Sequence, residues 1–147
     1  RHIEWPIVIM LAAMIPIGQA LESTGITVQI ASGVVSFAGD LHVFWILMII
    51  LIITMLITDV INNAATAVIM APFSVNIALQ LGHPLEPFLM VVAVGASCAF
   101  LTPIGHQCNT LVMGPGNYKF SDYWRLGLPL DILIVVTSIP MILFVWL

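Results

Sequence analysis

Apolar residues fill most of this chain, and a few polar points divide it into segments. Ile7 to Leu21 is apolar, broken by Pro16 and Gly18, and closes at Glu22-Ser23-Thr24-Gly25, which predicts a kinked helix and its exit turn. Ile26 to Phe37 is a shorter segment that admits Gln29, Ser32, Gly33 and Ser36; its periodicity does not choose between the membrane interface and a protein interior. After Gly39-Asp40-Leu41-His42, the stretch Val43 to Ile57 carries no charge. As a helix it reaches about 22 Å, against a bilayer hydrocarbon core of about 30 Å. A polar tip follows, Thr58-Asp59-Val60-Ile61-Asn62-Asn63-Ala64-Ala65-Thr66, and then a second apolar arm of similar length, Ala65 to Leu79. Two arms too short to cross comfortably, with amides between them, predict a re-entrant helical hairpin over about 43–80 that dips into the membrane and returns. Amides at that depth are costly unless they have work there.

Gly82-His83-Pro84-Leu85-Glu86-Pro87 has the chemistry of a loop in water. Phe88 to Leu101 is expected to be a short helix, with Ala93, Gly95, Ala96, Ser97 and Ala99 letting a neighbouring backbone approach. It stops at Thr102-Pro103-Ile104-Gly105-His106-Gln107-Cys108-Asn109-Thr110, where proline removes a donor and glycine relaxes the backbone. Leu111 to Gly114 resumes briefly, so 88–114 reads as one broken helix. Pro115-Gly116-Asn117-Tyr118-Lys119 is a turn, Ser121-Asp122-Tyr123-Trp124-Arg125 suits lipid headgroups, and Leu128 to Leu147 is the one segment long enough to cross in the ordinary way. Asp131 reads as an interfacial residue near the start of that span.

Composition turns this pattern into a class. With 61% hydrophobic residues, 7% charged and a mean hydropathy of +1.17, the chain must be solvated mainly by lipid. The expected fold is therefore all-α: a polytopic, multi-pass membrane protein, placed in the cell membrane. The net charge of -4 and three scattered basic residues, Arg1, Lys119 and Arg125, exclude a surface that could follow a nucleic-acid backbone. Cys98 and Cys108 form no CxxC pair, and His2, His42 and His83 have no metal-ligand spacing. The opening at Arg1, without the cleavage pattern of a signal peptide, reads as part of a longer polypeptide.

Unpaired backbone at membrane depth survives only inside protein or against a wet cavity, so the tip near Asn63 and the loop near Gly105 are expected to face each other. Helix C-termini and unwound carbonyls offer partial negative charge to Na⁺, and helix N-termini offer N–H groups to an anion. Neither break contains Lys or Arg, so an anionic substrate there needs a bound cation to neutralise it.

At Thr58-Asp59-Val60-Ile61-Asn62-Asn63-Ala64, at Pro103-Ile104-Gly105-His106-Gln107-Cys108-Asn109 and at Gly114-Pro115-Gly116, the chain resembles the C-terminal half of the divalent anion:sodium symporter family, the citrate-transporter-like permeases. Ile15 to Gly25 and Phe120 to Pro129 extend the likeness over nearly the whole chain. The resemblance implies half of an inverted-repeat transporter, with the other, N-terminal repeat as an obligatory partner. It implies sodium-coupled symport of a sulfate-like oxyanion or a di- or tricarboxylate, with Na⁺ as coupling ion and no other cofactor. It is compatible with a homodimer. The family's Ser-Asn-Thr tip falls on Asn62-Asn63-Ala64, so Asn63 takes the central place and touches both sodium and substrate, beside Asn62 for sodium and Ala64 for substrate. Thr58 lends a backbone oxygen to Na⁺. The family's Thr-Pro-Pro-Asn loop falls on His106-Gln107-Cys108-Asn109, with Gly105 as a carbonyl ligand, Asn109 completing the sodium site and holding the loop, and His106 and Gln107 toward substrate. The missing tip hydroxyls and the replaced threonine and prolines leave the choice of anion open.

Each residue has a plainer reading. Asn62 and Asn63 also suit a helix N-cap, His106 a single satisfying hydrogen bond, and Asp59 the cap of the following helix. Two other functions compete: a proton-driven or uncoupled transporter of the same superfamily, and an intramembrane hydrolase, for which neither Ser97 nor Asp59 has a visible catalytic partner.

Overall fold

Helix starts and stops follow side chains that can close a backbone ladder in an apolar setting. The structure, a computed structural model, describes residues 42–147 without a break and, before them, only residues 12, 16, 20, 23–25, 28–29, 32–33 and 36. The expected kinked helix over 7–21 and the segment over 26–37 therefore lie outside the described residues. All regular structure among the described residues is helical: α1 Val43–Thr58, α2 Asn63–Leu81, α3 Leu85–Ala96, α4 Gln107–Met113 and α5 Phe120–Trp146. At the start of α1, His42 Nδ1 accepts the Phe44 N–H at 3.3 Å. Asn62 caps α2, its Oδ1 accepting from Ala65 N at 2.8 Å. Gly82 ends α2 at φ 69°, and the His83 N–H returns to the Ala78 carbonyl, closing a left-handed stop that a side chain would strain.

α3 is the centre of the packing, lying against both α1 and α2. Phe88 and Val91 of α3, Leu47, Ile50 and Leu51 of α1 and Ile77 of α2 are fully buried together. Lipid is as apolar as these side chains, so close fit and internal hydrogen bonds hold such helices more than expulsion from water does. Gly95 supplies the fit: a Cβ there would stand 2.9 Å from Thr54 Cβ, so α1 and α3 touch almost backbone to backbone. Ser74 Oγ donates to the Phe88 carbonyl at 2.9 Å and ties α2 to α3. α5 packs on α1 and α3 through Ile139 and Ile142, while Phe144 at its far end is 92% exposed.

Several expected bounds shift. α3 begins at Leu85 rather than Phe88, and it stops at Ala96 rather than Leu101. Past Ala96 the ladder tightens into i−3 bonds, Ser97 N to the Val94 carbonyl and Cys98 N to the Gly95 carbonyl, and the Leu101 N–H goes to Asp59 Oδ1, 42 residues away, instead of to a helical carbonyl. α5 begins at Phe120, where Asp122 Oδ2 accepts from Lys119 N at 2.8 Å, so Pro129 falls inside the helix. Asp131 is then about three turns into α5 and not at its start. α2 has 19 residues, about 28 Å, and passes with α5 as long and apolar enough to cross a membrane. Among the described residues two helices meet that length, where the sequence pattern indicated one.

Candidate functional site

The polar link between α1 and α2 folds back on the end of α1. The N–H groups of Val60 and Ile61 both reach the Ile57 carbonyl, and Asn62 turns the chain into α2. This places Thr58, the last residue of α1, beside Asn63, the first of α2. Thr58 Oγ1 lies 3.0 Å from Asn63 Oδ1 and 2.9 Å from the Ala96 carbonyl at the end of α3. A hydroxyl has one proton and donates to one of these at a time; with the Asn63 amide turned so that Nδ2 meets the hydroxyl, both contacts are satisfied at once. The C-terminal ends of α1 and α3 thus converge on one threonine. Both carry partial negative charge, which favours a cation nearby.

The loop after α3 is clasped onto the tip. Asp59 Oδ1 accepts from Leu101 N at 2.9 Å, the Asp59 carbonyl accepts from Thr102 Oγ1, and Thr102 Oγ1 accepts in turn from Gly105 N at 3.1 Å. Gly105 is buried in the junction. A Cβ on it would stand 2.8 Å from Ala99 Cβ and 3.0 Å from both Asp59 Cα and the Thr58 carbonyl oxygen. The carbonyls of Thr58 and Gly105 accept no backbone hydrogen bond among the described residues. A free main-chain oxygen, that of Thr58, is therefore present where the breaks touch, a partial negative charge of the kind that suits a cation.

The expected residues divide into two groups. Thr58, Asn63 and Gly105 come together at the junction. Asn109 supports it from behind: its Nδ2 donates to the carbonyls of Ala99 at 2.8 Å and Thr102 at 3.1 Å, while its own carbonyl accepts from Tyr123 Oη on α5 at 2.7 Å. Asn62 commits its side-chain oxygen to the α2 cap, as its plainer reading anticipates. Ala64 is half-buried in the first turn of α2. His106 and Gln107 are exposed. His106 Nδ1 accepts from Cys108 N at 3.2 Å, and the ring borders a small cavity with Ser97, Ala99, Phe100, Cys108 and Asn109, which neither Asn63 nor Ala64 lines.

Sequence reasoning missed Thr102 as a functional residue. A hydroxyl one residue before a proline, at the end of an apolar run, was the available signal. Thr102→Val keeps the shape but leaves the Asp59 carbonyl and Gly105 N–H unpaired, a cost of about 1–3 kcal/mol. It is expected to lower the melting temperature of the full-length protein, with Thr102→Ser restoring it. An unchanged melt of Thr102→Val would remove the clasp from the account.

Paired chain breaks with free carbonyls are the parts of an ion-dependent membrane transporter. A citrate transporter family model matches residues 1–147, and the chain belongs to that family. It is 39% identical over 142 residues to an uncharacterized transporter, YfbS, of Escherichia coli, covering 97% of this chain and 23% of that protein. It is 35% identical over 144 residues to an uncharacterized transporter of Synechocystis, covering 98% of this chain and 24% of the relative. A sodium/sulfate cotransporter of Chlamydomonas reinhardtii is 28% identical over 139 residues, 94% of this chain and 16% of the relative. The chain thus spans about a quarter or less of the length of these curated relatives. These relatives are transporters rather than enzymes, and the hydrolase reading falls away.

Proposed function

We propose that this chain forms the second of two inverted repeats within the transport domain of a longer, multi-pass, sodium-coupled symporter of a divalent anion, with Na⁺ held between the hairpin tip and the interrupted helix. The observation that carries the reading is the contact of Gly105 with the free Thr58 carbonyl, where two converging helix C-termini offer negative potential without any basic side chain. Thr58, Asn63 and Gly105 are the expected cation ligands, with Asn109 fixing the loop. The first turn of α2 offers N–H groups to the anion from Asn63 and Ala64, and His106 and Gln107 extend the site on the loop side. The bound cation completes the anion site, and movement of the hairpin against the rest of the full-length protein then exposes the site to each side in turn. The sodium/sulfate cotransporters among the relatives support a sulfate-like oxyanion, and the family model supports a di- or tricarboxylate. The test is uptake of labelled sulfate, succinate and citrate into proteoliposomes holding the full-length protein, with an inward gradient of sodium or of choline. Uptake of at least one of the three is expected with sodium only; equal uptake in choline would overturn sodium coupling.

A further inference from the structure

Packing does not hold α4 in place: it has seven residues, and none of them is buried. Yet it begins two residues after Gly105, and its first turn ties down the loop. Asn109 Nδ2 donates to the carbonyls of Ala99 and Thr102, and Thr110 Oγ1 donates to the Pro103 carbonyl at 2.6 Å. A helix that fixes the loop must itself be fixed. Among the described residues, the side-chain hydrogen bond that joins α4 to another helix comes from α5, where Tyr123 Oη donates to the Asn109 carbonyl at 2.7 Å.

The same face of α5 meets the other end of the loop. Gly127 follows Tyr123 by four residues, one turn along the helix. It is buried, and a Cβ on it would stand 2.5 Å from the Phe100 carbonyl oxygen and 3.1 Å from Leu101 N, so the α5 backbone lies directly on the loop backbone. Phe100, Asn109, Tyr123 and Gly127 line one cavity, which places both contacts on one surface. From Tyr123 a series of hydrogen bonds runs on to the tip: Asn109 Nδ2 to the Thr102 carbonyl, then Thr102 Oγ1 to the Asp59 carbonyl, with Gly105 N on the same hydroxyl.

We propose that α5 is a brace for the ion site and that Tyr123 is its positioning residue. Gly127 against Phe100 and Tyr123 against Asn109 hold both flanks of the interrupted segment on the hairpin tip. Cation affinity at the junction then depends on a helix that supplies none of the expected ligands. The effect on sodium rests on the function proposed above; the brace itself does not. The test compares purified full-length wild type with Tyr123→Phe, which removes one oxygen, and Gly127→Ala, which pushes α5 off the loop. Tyr118→Phe is the control, because it keeps the ring contact with Tyr123 and loses a hydroxyl that has no hydrogen-bond partner among the described residues. Deuterium exchange is read over 99–110 and 58–63 without sodium, and the thermal melt is then titrated with sodium or choline chloride. Faster exchange in both segments is expected, together with about a fivefold rise in the sodium needed for half of the melting shift in Tyr123→Phe and a larger one in Gly127→Ala. Tyr118→Phe should match the wild type. Wild-type exchange in Tyr123→Phe overturns the brace, and that variant, adding no atom, keeps the test open if Gly127→Ala misfolds. Faster exchange with a wild-type sodium requirement overturns the positioning role. A wild type without any sodium-specific melting shift counts against the cation site instead, and exchange alone then decides the brace.

Discussion

Gly105→Ala in the full-length protein is expected to abolish sodium-dependent anion uptake while leaving membrane insertion intact. The added methyl meets three neighbours at 2.8–3.0 Å, and two of them, Asp59 Cα and the Thr58 oxygen, are backbone atoms with no rotamer to escape into. Overpacking of this kind costs about 1–3 kcal/mol when the surroundings yield. Here yielding means pushing the loop off the tip, which opens the junction at the free Thr58 carbonyl and stretches the Asp59–Thr102 clasp. The helices α1, α2 and α3 pack elsewhere through Phe88, Leu51 and Gly95, so the fold has its own support. Uptake is measured in sodium and in choline beside a check on yield and monodispersity. A well-behaved variant with wild-type sodium dependence would show that the junction does not hold the coupling ion.

Asn63→Ala carries the second large effect. Asn63 sits where α2 begins and meets Thr58 Oγ1 at 3.0 Å, so its amide joins the tip's two arms and is the one polar side chain expected to touch cation and anion together. Its removal leaves Thr58 Oγ1 bonded to Ala96 and the junction without a side-chain ligand. Loss of a hydrogen bond to a charged group costs about 1.5–3 kcal/mol, so uptake at sub-saturating sodium should fall by roughly tenfold or more. The cap of α2 belongs to Asn62 and survives the change, which separates this effect from helix loss. Uptake within twofold of the wild type, about 0.4 kcal/mol, would remove Asn63 from the site.

Much of this arrangement was legible because polar and helix-breaking residues stand out in an apolar chain. Asn62-Asn63 between Val43–Ile57 and the following arm, and Pro103 with Gly105 after a run of small residues, stand where α1 gives way to α2 and where the loop after α3 runs. The less legible features depend on partners distant in sequence. Nothing between Ser97 and Leu101 announces that α3 has ended, or that the Leu101 N–H is held by Asp59 across the junction. The role of Thr102 likewise exists only once the Asp59 carbonyl is beside it. Asp131 reads as interfacial because the uninterrupted apolar span starts at Leu128, yet the cap at Lys119 and Asp122 carries α5 back to Phe120 and moves Asp131 inward. Local pattern located the breaks, and hydrogen bonds between residues distant in sequence hold the loop after α3 against the tip.

A cation site between the tip and the loop has a thermodynamic signature that needs no transport: an ion that binds the folded state alone raises its melting temperature with concentration. The decisive measurement is the thermal melt of the detergent-solubilised full-length protein titrated with sodium chloride, with choline chloride at matched ionic strength, for the wild type and Asn63→Ala. A sodium-specific rise in the wild type that Asn63→Ala loses is the expected result; melts that respond equally to sodium and choline, or a sodium response untouched by Asn63→Ala, would contradict it.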